Sequence, residues 1–122
     1  MDRQISILHI AECAGGVERY LQMLLPRLEL RNFKQFFLCS HNYDKQKFIA
    51  VIDSVEQMEL RQTFSLIQIM RKAILIRNRI KKLNPDIVYC HSSFAGGLGR
   101  LAAIGLPCKV VYNPHGWAFN MK

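Results

Sequence analysis

Short apolar runs alternate along the chain with longer segments in which apolar residues recur every three or four positions. The short runs are too short for helices and are rich in β-branched and aromatic residues, which predicts strands. These strands are 5–10, 35–40, 55–61, 86–91 and 108–113, of which 55–61 alternates apolar and polar residues as an exposed strand does. The longer segments have the spacing of helices with one apolar face, and they are 17–31, 65–83 and 94–104.

The order of these elements predicts the fold class. Strands that are apolar on both faces and separated by helical crossovers are typical of α/β proteins. We therefore predict a Rossmann-like doubly wound parallel sheet with helices on both faces. The 122 residues match the size of one domain, and no internal repeat or low-complexity linker divides them, so a single domain over 1–122 is expected.

The charge balance indicates an anionic partner. The chain has 17 Lys and Arg against 9 Asp and Glu, a formal net charge of +8. Such a surface suits nucleic acid, a phosphate-bearing small molecule or an acidic membrane. The charge alone does not choose among them.

The cysteines and the apolar segments bear on location. Cys13, Cys39, Cys90 and Cys108 are widely spaced, and three of them lie in or beside apolar runs, where thiols pack as small hydrophobic groups. Neither a metal site nor a disulfide framework is expected. Since the sequence has no signal-peptide pattern and no apolar stretch of about 20 residues, we expect a reducing, cytoplasmic location.

Three predicted strands are followed by residues with useful chemistry. These residues are Gly15 and Gly16, then His91, Ser92 and Ser93, then Asn113, His115 and Gly116. Ligands of open α/β sheets bind beyond the carboxyl ends of the strands. Glycines let a backbone approach a ligand, a helix amino terminus attracts an anion, and histidines supply donors or a base. We therefore predict that this edge binds a phosphate or a sugar hydroxyl.

Each of these features also has a structural explanation that the sequence leaves open. A Gly-Gly turn allows close packing of a helix on the sheet, a single histidine is an ordinary loop-end residue, and serines cap helices. The glycine pair follows neither the dinucleotide-binding nor the P-loop pattern. No carboxylate is placed to orient either histidine and no carboxylates cluster, so neither a nucleophilic triad nor a metal site is expected.

The predicted helix 65–83 is strongly basic. Residues 61–82 include seven basic residues and no acidic one. At 100° per residue its core face is predicted to hold Leu66, Ile69, Met70, Ala73, Ile76, Ile80 and Leu83. The opposite side is predicted to hold Arg71, Lys72, Leu75, Arg79 and Lys82. An apolar residue within a basic face suits an anionic lipid surface or a partner subunit, although a solvated face has the same pattern. Nucleic acid is not expected, because no aromatic residues are interleaved to stack on bases.

Three segments together resemble a known family. "ILHIAECAGGVERYLQMLLPRL", "PDIVYCHSSFAGGLGRLAAI" and "KVVYNPHGWAF", in this order and spacing, resemble the amino-terminal domain of glycosyltransferase family 4, particularly enzymes of bacterial polysaccharide assembly. The resemblance implies the GT-B architecture, two Rossmann-like domains facing a cleft. It also implies transfer of a sugar from a nucleotide-sugar to a saccharide acceptor, often lipid-linked, with retention of configuration.

The resemblance assigns roles to the strand-end residues. It implies that Gly15 and Gly16 lie against the donor diphosphate and sugar, and that His115 lies near the transferred sugar as the catalytic residue. His91 and Ser92 are expected on the acceptor side. The nucleotide-sugar is then a substrate, and no cofactor is expected.

The sequence departs from the family in two places. The first helix is followed by "RNF" at 31–33, where members usually have a glycine-histidine turn. The paired glutamates of the carboxyl-terminal donor-binding domain have no counterpart within the 122 residues. We therefore expect the chain alone to be inactive and to work with a companion domain, or to self-associate, as a peripheral protein on the inner face of the membrane. A non-catalytic basic module that docks on a membrane or a partner subunit, and a flavodoxin-like domain with a coloured cofactor, are the alternatives.

Overall fold

The computed structural model describes residues 4–12, 16–41, 43–44, 46–49, 52, 54–60, 64–91 and 93–112. Within this part the strands are β1 (Ser6–Ala11), β2 (Lys34–Cys39), β3 (Ser54–Gln57), β4 (Ile87–Cys90) and β5 (Lys109–Tyr112). The helices are α1 (Gly16–Leu30), α2 (Gln46–Ile49), α3 (Leu66–Leu83) and α4 (Ser93–Ala102). Each predicted strand and helix is present, and α2 lies in a polar segment that is predicted only as a loop or short helix.

The five strands form one parallel sheet in the order β3-β2-β1-β4-β5. Chain order reverses between β1 and β4, which lie side by side although Ala11 and Asp86 are 75 positions apart in the sequence. Asp86 links their amino ends, because its Oδ2 accepts hydrogen bonds from the backbone N and the hydroxyl of Ser6 at 2.9 and 3.2 Å. The predicted parallel α/β architecture is confirmed.

Strand alternation divides the core into two layers, one on each face of the sheet. Even-numbered residues of β1 and β2 pack with α3 and α4, in a cluster that includes Leu8, Leu38 and Ile76. Odd-numbered residues pack with α1 and α2, in a cluster that includes Leu25, Phe37 and Phe48. Helices therefore cover both faces, as the apolar strands predict.

The ends of the helices follow from their capping residues. Ser65 caps α3 by accepting a hydrogen bond from the Gln68 backbone N at 3.4 Å. At its other end, Asn84 takes the left-handed conformation with φ 49°, and its backbone N donates to the Ile80 carbonyl at 2.8 Å. Asn32 similarly has φ 67° just after α1. The predicted ends of both helices are confirmed.

Two sequence predictions need correction. The third strand is shorter than 55–61, since β3 ends at Gln57 at an outer edge of the sheet. Leu66 and Met70, which the helical wheel assigns to the core face of α3, are exposed. The core face of α3 is formed by Ala73, Ile76 and Ile80, with Ile69 and Leu83 partly buried against the same cluster. Periodicity identifies a helix face but not how far its neighbours extend along it.

Candidate functional site

The candidate site lies at the carboxyl edge of the sheet, where chain order reverses between β1 and β4. His91 directly follows β4, and its backbone N donates to the Ile10 carbonyl at 3.0 Å. Helix α1 begins at Gly16, shortly after β1 ends at Ala11. Because the two strands are parallel, the first residue of α1 and His91 lie at the same edge. Open α/β sheets bind ligands in the crevice at this point.

A hydrogen-bonded row of buried polar side chains, the polar chain, leads to this crevice beneath α1. His91 Nε2 lies 3.0 Å from His9 Nδ1, and His9 Nε2 lies 3.0 Å from Gln35 Oε1. The Gln35 amide donates to the Leu25 carbonyl at 2.9 Å and to the Glu29 carboxylate at 3.2 Å. His9, Gln35 and His91 are each completely buried. The chain crosses three strands and ends at a carboxylate.

The register of the sheet explains how residues so distant in sequence meet. Ile7 pairs with Gln35 on β2, and His9 pairs with Tyr89 on β4. Each step from Gln35 to His9 to His91 therefore moves one strand across and two positions towards the carboxyl edge. Since side chains two positions apart share a face of a sheet, all three point towards α1.

Aromatic rings hold the His91 imidazole from two sides. It stacks on Tyr89, with ring centroids 4.2 Å apart and planes 13° apart, and Tyr20 of α1 lies 6.5 Å away. Burial, together with a hydrogen bond and repulsion from Tyr89, raises the pKa of Tyr20 above its ordinary value. The phenol of Tyr20 thus stays protonated near pH 7. Stacking on Tyr89 restricts the orientation of the His91 ring.

The environment of His9 keeps that imidazole neutral. Complete burial lowers the pKa of His9 from 6.5 to about 4, and the hydrogen bond to Gln35 only partly opposes this effect. A charged His9 would have to give up its hydration inside an apolar layer. At neutral pH the uncharged imidazole of His9 therefore lies in the middle of the polar chain.

The next loops along this edge are tied together by hydrogen bonds. The Ser40 hydroxyl donates to the Glu12 carbonyl at 2.8 Å, which joins the segments that follow β1 and β2. Glu18, in the first turn of α1, accepts from the Asp44 backbone N at 3.1 Å and lies 3.9 Å from Lys47 Nζ. The edge beside the crevice is thus held in place by contacts across the two loops.

The structure brings only part of the predicted site together. Gly16 and His91 lie at the same edge, as predicted. His91 is completely buried, and its side chain is hydrogen-bonded to His9. The other predicted site residues lie outside the described part of the chain, and they are Gly15, Ser92, Asn113, His115 and Gly116.

Sequence reasoning missed the three residues that support His91. His9 and Gln35 stand in predicted strands, and Glu29 lies on an exposed part of α1. A histidine and a glutamine inside otherwise apolar strands are the available signal, because buried polar side chains need partners. Their partners are up to 82 residues away, so the sequence does not identify them.

The predicted basic face of α3 is partly wrong. Arg71, Leu75 and Lys82 are exposed as expected. Lys72 is only 6% exposed, and its Nζ lies 5.9 Å from the centre of the Phe94 ring, because its stem packs between α3 and α4. Arg79 forms an ion pair with Glu56 of β3 at 2.5 Å. Lys72 therefore belongs to the helix interface and not to an exposed basic face.

The outward side of α3 instead carries an apolar strip. We define the apolar strip as Leu66, Ile67, Met70, Ile74 and Leu75, which are between 45% and 71% exposed. These residues and Arg71 line one shallow depression. At 100° per residue, Lys81 and Lys82 continue the same side of the helix at its carboxyl end. The outward side is thus apolar in the first half and basic in the second.

In the described part of the chain, no three His, Cys, Asp or Glu side chains are grouped so that they could hold a metal ion. None of the described helices has the length and apolar composition needed to cross a bilayer.

The three described cysteines are packed as apolar side chains, and Cys13 lies outside the described residues. Cys39 and Cys90 are buried, and Cys108 is partly buried. Burial raises the pKa of Cys90 to about 12, so its thiol stays protonated.

Known proteins similar to this chain share its architecture. Solved structures superpose on about nine-tenths of the chain but only about a third of their own length. A glycosyltransferase from Rickettsia africae is 22% identical over 91% of this chain and 30% of its own, with a TM-score of 0.71. A lipopolysaccharide outer core galactosyltransferase, WaaB, is 21% identical over 91% and 33%, with a TM-score of 0.73. Acinetobacter baumannii MurG is 18% identical over 88% and 34%, with a TM-score of 0.67. These likenesses confirm the Rossmann-like fold found in such enzymes.

Sequence comparison is more specific. The Escherichia coli UDP-Gal:alpha-D-GlcNAc-diphosphoundecaprenol alpha-1,3-galactosyltransferase is 47% identical over 127 aligned positions, which cover 96% of this chain and 31% of that enzyme. The chain thus spans about a third of the length of this curated relative. Residues 14–121 match the model of Glycosyltransferase Family 4, which is most of the chain. The chain therefore belongs to glycosyltransferase family 4.

Proposed function

We propose that this chain forms the acceptor-side half of a retaining glycosyltransferase that moves galactose from UDP-galactose to a GlcNAc-diphosphate lipid. The observation that carries the proposal is the 47% identity with the Escherichia coli galactosyltransferase, whose name states these substrates. Donor binding and transfer then need residues that correspond to the remaining two-thirds of that enzyme. Those residues come from a carboxyl-terminal domain or a companion chain, and the 122 residues alone do not catalyse transfer.

The charge of the chain supports substrates of this class. Donor and acceptor both carry a diphosphate, and the chain has a formal net charge of +8. Helix α1, 15 residues long, begins with Gly16 at the crevice between β1 and β4. The partial positive charge and unpaired N–H groups of a helix amino terminus favour an anionic group. Gly15 and Gly16 are proposed to lie against the donor diphosphate and sugar.

The proposed reaction assigns different tasks to the other predicted site residues. During transfer the bond between the anomeric carbon and the diphosphate breaks, and an acceptor hydroxyl bonds to that carbon and passes its proton to an oxygen of the departing diphosphate. His115 is proposed to contact the transferred sugar as the catalytic residue. His91 and Ser92 are proposed to form the acceptor side, and Asn113 and Gly116 to bind substrate beside them. The developing charge on the leaving diphosphate needs preorganised donors, and residues beyond this chain supply some of them.

A lipid-linked acceptor gives the outward side of α3 a purpose. We propose that the apolar strip enters the cytoplasmic face of an anionic membrane while Arg71, Lys81 and Lys82 contact lipid phosphates. The strip spans nine residue steps, about 14 Å of helix. An exposed apolar strip bordered by basic residues is typical of helices that lie in a membrane interface. Such a contact keeps the crevice close to an acceptor that cannot leave the bilayer.

A chimaera tests the proposed activity. This chain would replace the corresponding third of the Escherichia coli galactosyltransferase, and galactose transfer from UDP-galactose to GlcNAc-diphosphoundecaprenol would be measured. The expected result is transfer by the chimaera and none by the 122-residue chain. His115→Ala is expected to lower kcat at least about 100-fold, the scale of an essential group acting on the reacting atoms.

Controls distinguish an inactive fold from a wrong assignment. Lys34→Gln, an exposed change on β2 away from the crevice, should leave transfer unchanged. A folded chimaera that binds UDP-galactose but transfers nothing would contradict the proposal. If Gly16→Val abolishes substrate binding while Arg71→Glu leaves it intact, the enzyme assignment is supported. The reverse pattern favours a non-catalytic docking module.

A further inference from the structure

The polar chain beneath α1 allows only one consistent arrangement of hydrogen-bond donors and acceptors. The Gln35 amide faces two acceptors, the Leu25 carbonyl and the Glu29 carboxylate. Its NH2 group must point towards them, because the opposite orientation would bring its oxygen against two other oxygens. Gln35 Oε1 is then turned towards His9 Nε2 and can only accept.

The orientation of the Gln35 amide determines where the other protons of the polar chain lie. His9 Nε2 must carry a proton in order to donate to Gln35. Because His9 is neutral, its Nδ1 has no proton and accepts a hydrogen bond. The donor to that nitrogen is His91 Nε2–H, so a neutral His91 has an unprotonated Nδ1. Glu29 and Gln35 thus determine the tautomer of a histidine two strands away.

We propose that Glu29, Gln35 and His9 are positioning residues of the acceptor site, which hold His91 as its Nε2–H tautomer and so fix the orientation of its ring at the carboxyl end of β4. This inference rests on the proposed function, in which His91 lies on the acceptor side of the crevice. Stacking on Tyr89 and the backbone bond to Ile10 fix the remaining freedom of His91. The orientation of the His91 ring is therefore set by a protonation pattern that begins near the carboxyl end of α1.

A purely structural core would not need this row of hydrogen-bonded polar side chains, so we assign the row to the site. Three polar side chains are completely buried where β-branched residues would fill the same layer without any need for partners. Each depends on the next for a donor or an acceptor, so a change at Gln35 is transmitted to His91. An apolar replacement of Gln35 removes the constraint on the His91 tautomer without directly contacting the crevice.

The test combines a spectroscopic measurement with a binding measurement. Imidazole nitrogen chemical shifts of the ¹⁵N-labelled chain report which nitrogen of His91 carries the proton. The expected result is Nε2–H in the native chain and a mixture of tautomers in Gln35→Met, which removes the acceptor for His9. In the chimaera, Gln35→Met is expected to weaken binding of GlcNAc-diphosphoundecaprenol about tenfold, which corresponds to about 1.4 kcal/mol.

A control variant keeps the result interpretable. Leu38→Val lies on β2 but packs on the other face of the sheet, so it lowers stability without changing the tautomer.

The outcomes separate this inference from the proposed function. A His91 proton on Nδ1 in the native chain, or a tautomer that Gln35→Met leaves unchanged, overturns the inference. A changed tautomer with unchanged acceptor affinity overturns the positioning role. If the native chimaera does not bind the acceptor while the tautomers behave as expected, the proposed function fails and the protonation pattern stands.

Discussion

Buried polar residues are paired with one another on one face of the sheet. His9, Gln35 and His91 stand among apolar neighbours, and each has a hydrogen-bond partner within the same layer. Removing one partner leaves a buried donor or acceptor unpaired, which costs about 1–3 kcal/mol. Hydrogen bonds between these single side chains therefore connect three strands and contribute to the stability of the whole sheet.

Burial of His9 predicts a dependence of stability on pH. Its pKa is 6.5 when unfolded and about 4 when folded, so between these values the unfolded chain binds a proton that the folded chain does not. The free energy of unfolding should fall as the pH decreases from about 6.5 to 4, by roughly 3 kcal/mol in total. Below the folded pKa both states are protonated, and no further loss is expected from this group. Urea denaturation followed by circular dichroism at a series of pH values measures the effect.

The matched variants for this measurement are His9→Gln and His41→Gln. His9→Gln should lose most of the pH dependence, although it is less stable at neutral pH. His41 is exposed, so its replacement should leave the pH profile almost unchanged. A constant difference between the native chain and His9→Gln across this pH range would contradict the prediction.

At the scale of elements, α4 approaches the sheet closely because of its glycines. A Cβ on Gly99 would lie 2.5 Å from Cys90 Sγ, and one on Gly96 would lie 2.7 Å from the Tyr112 ring. A Cβ on Gly97, in the same helix, would meet nothing within 4 Å. Two of the glycines thus set the distance between α4 and the strands β4 and β5, whereas Gly97 faces outward.

Alanine at Gly97 and at Gly99 should have opposite effects. Gly97→Ala should raise the free energy of unfolding by up to about 1 kcal/mol, because alanine favours a helix more than glycine does. Gly99→Ala should lower it by about 1–3 kcal/mol, since the new methyl group overlaps the Cys90 sulfur in a close-packed layer. Urea denaturation of the two variants compares them directly.

A double variant identifies the cause of the loss. Adding Cys90→Ala to Gly99→Ala makes room for the methyl group, so the pair should be more stable than the sum of the two single changes predicts. Simple additivity of the two losses would show that the Cys90 sulfur is not the obstacle.

On the scale of the whole molecule, charge and apolar exposure occur on the same side of α3. The formal net charge is +8, and the apolar strip lies on the helix that also carries the exposed residues Arg71, Lys81 and Lys82. Each basic residue near an anionic surface contributes about 1 kcal/mol, and buried apolar side chains add to this. The chain should therefore bind anionic vesicles more strongly than neutral ones.

Vesicle sedimentation tests this with a variant that leaves the charge unchanged. Ile67→Gln/Ile74→Gln removes two exposed side chains of the apolar strip and should weaken binding to phosphatidylglycerol vesicles at least about tenfold. Leu30→Gln removes an exposed apolar side chain at the end of α1 and should have little effect. Equal binding to neutral vesicles, or unchanged binding of the strip variant, would contradict a membrane contact through α3.

The sequence predicts the elements well because their signals are local. Ser65, Asn84 and the spacing of Ala73, Ile76 and Ile80 act within a few residues, and α3 follows from them almost to the residue. The crossover pattern likewise predicts the parallel sheet. Lys72 shows the limit of this reasoning, since its burial depends on Phe94 in a different helix.

The sequence by itself determined the α/β class, the element order and the helix caps, and it predicted a candidate site at the strand ends. These follow from periodicity and capping, which depend on neighbouring residues. Only the tertiary structure decided that His91 is buried and bonded to His9, that Gln35 and Glu29 complete the chain, and that the exposed side of α3 begins as an apolar strip. The physical reason is that burial and hydrogen-bond partners depend on strand register and on contacts between residues up to 82 positions apart, and a linear pattern does not contain these contacts.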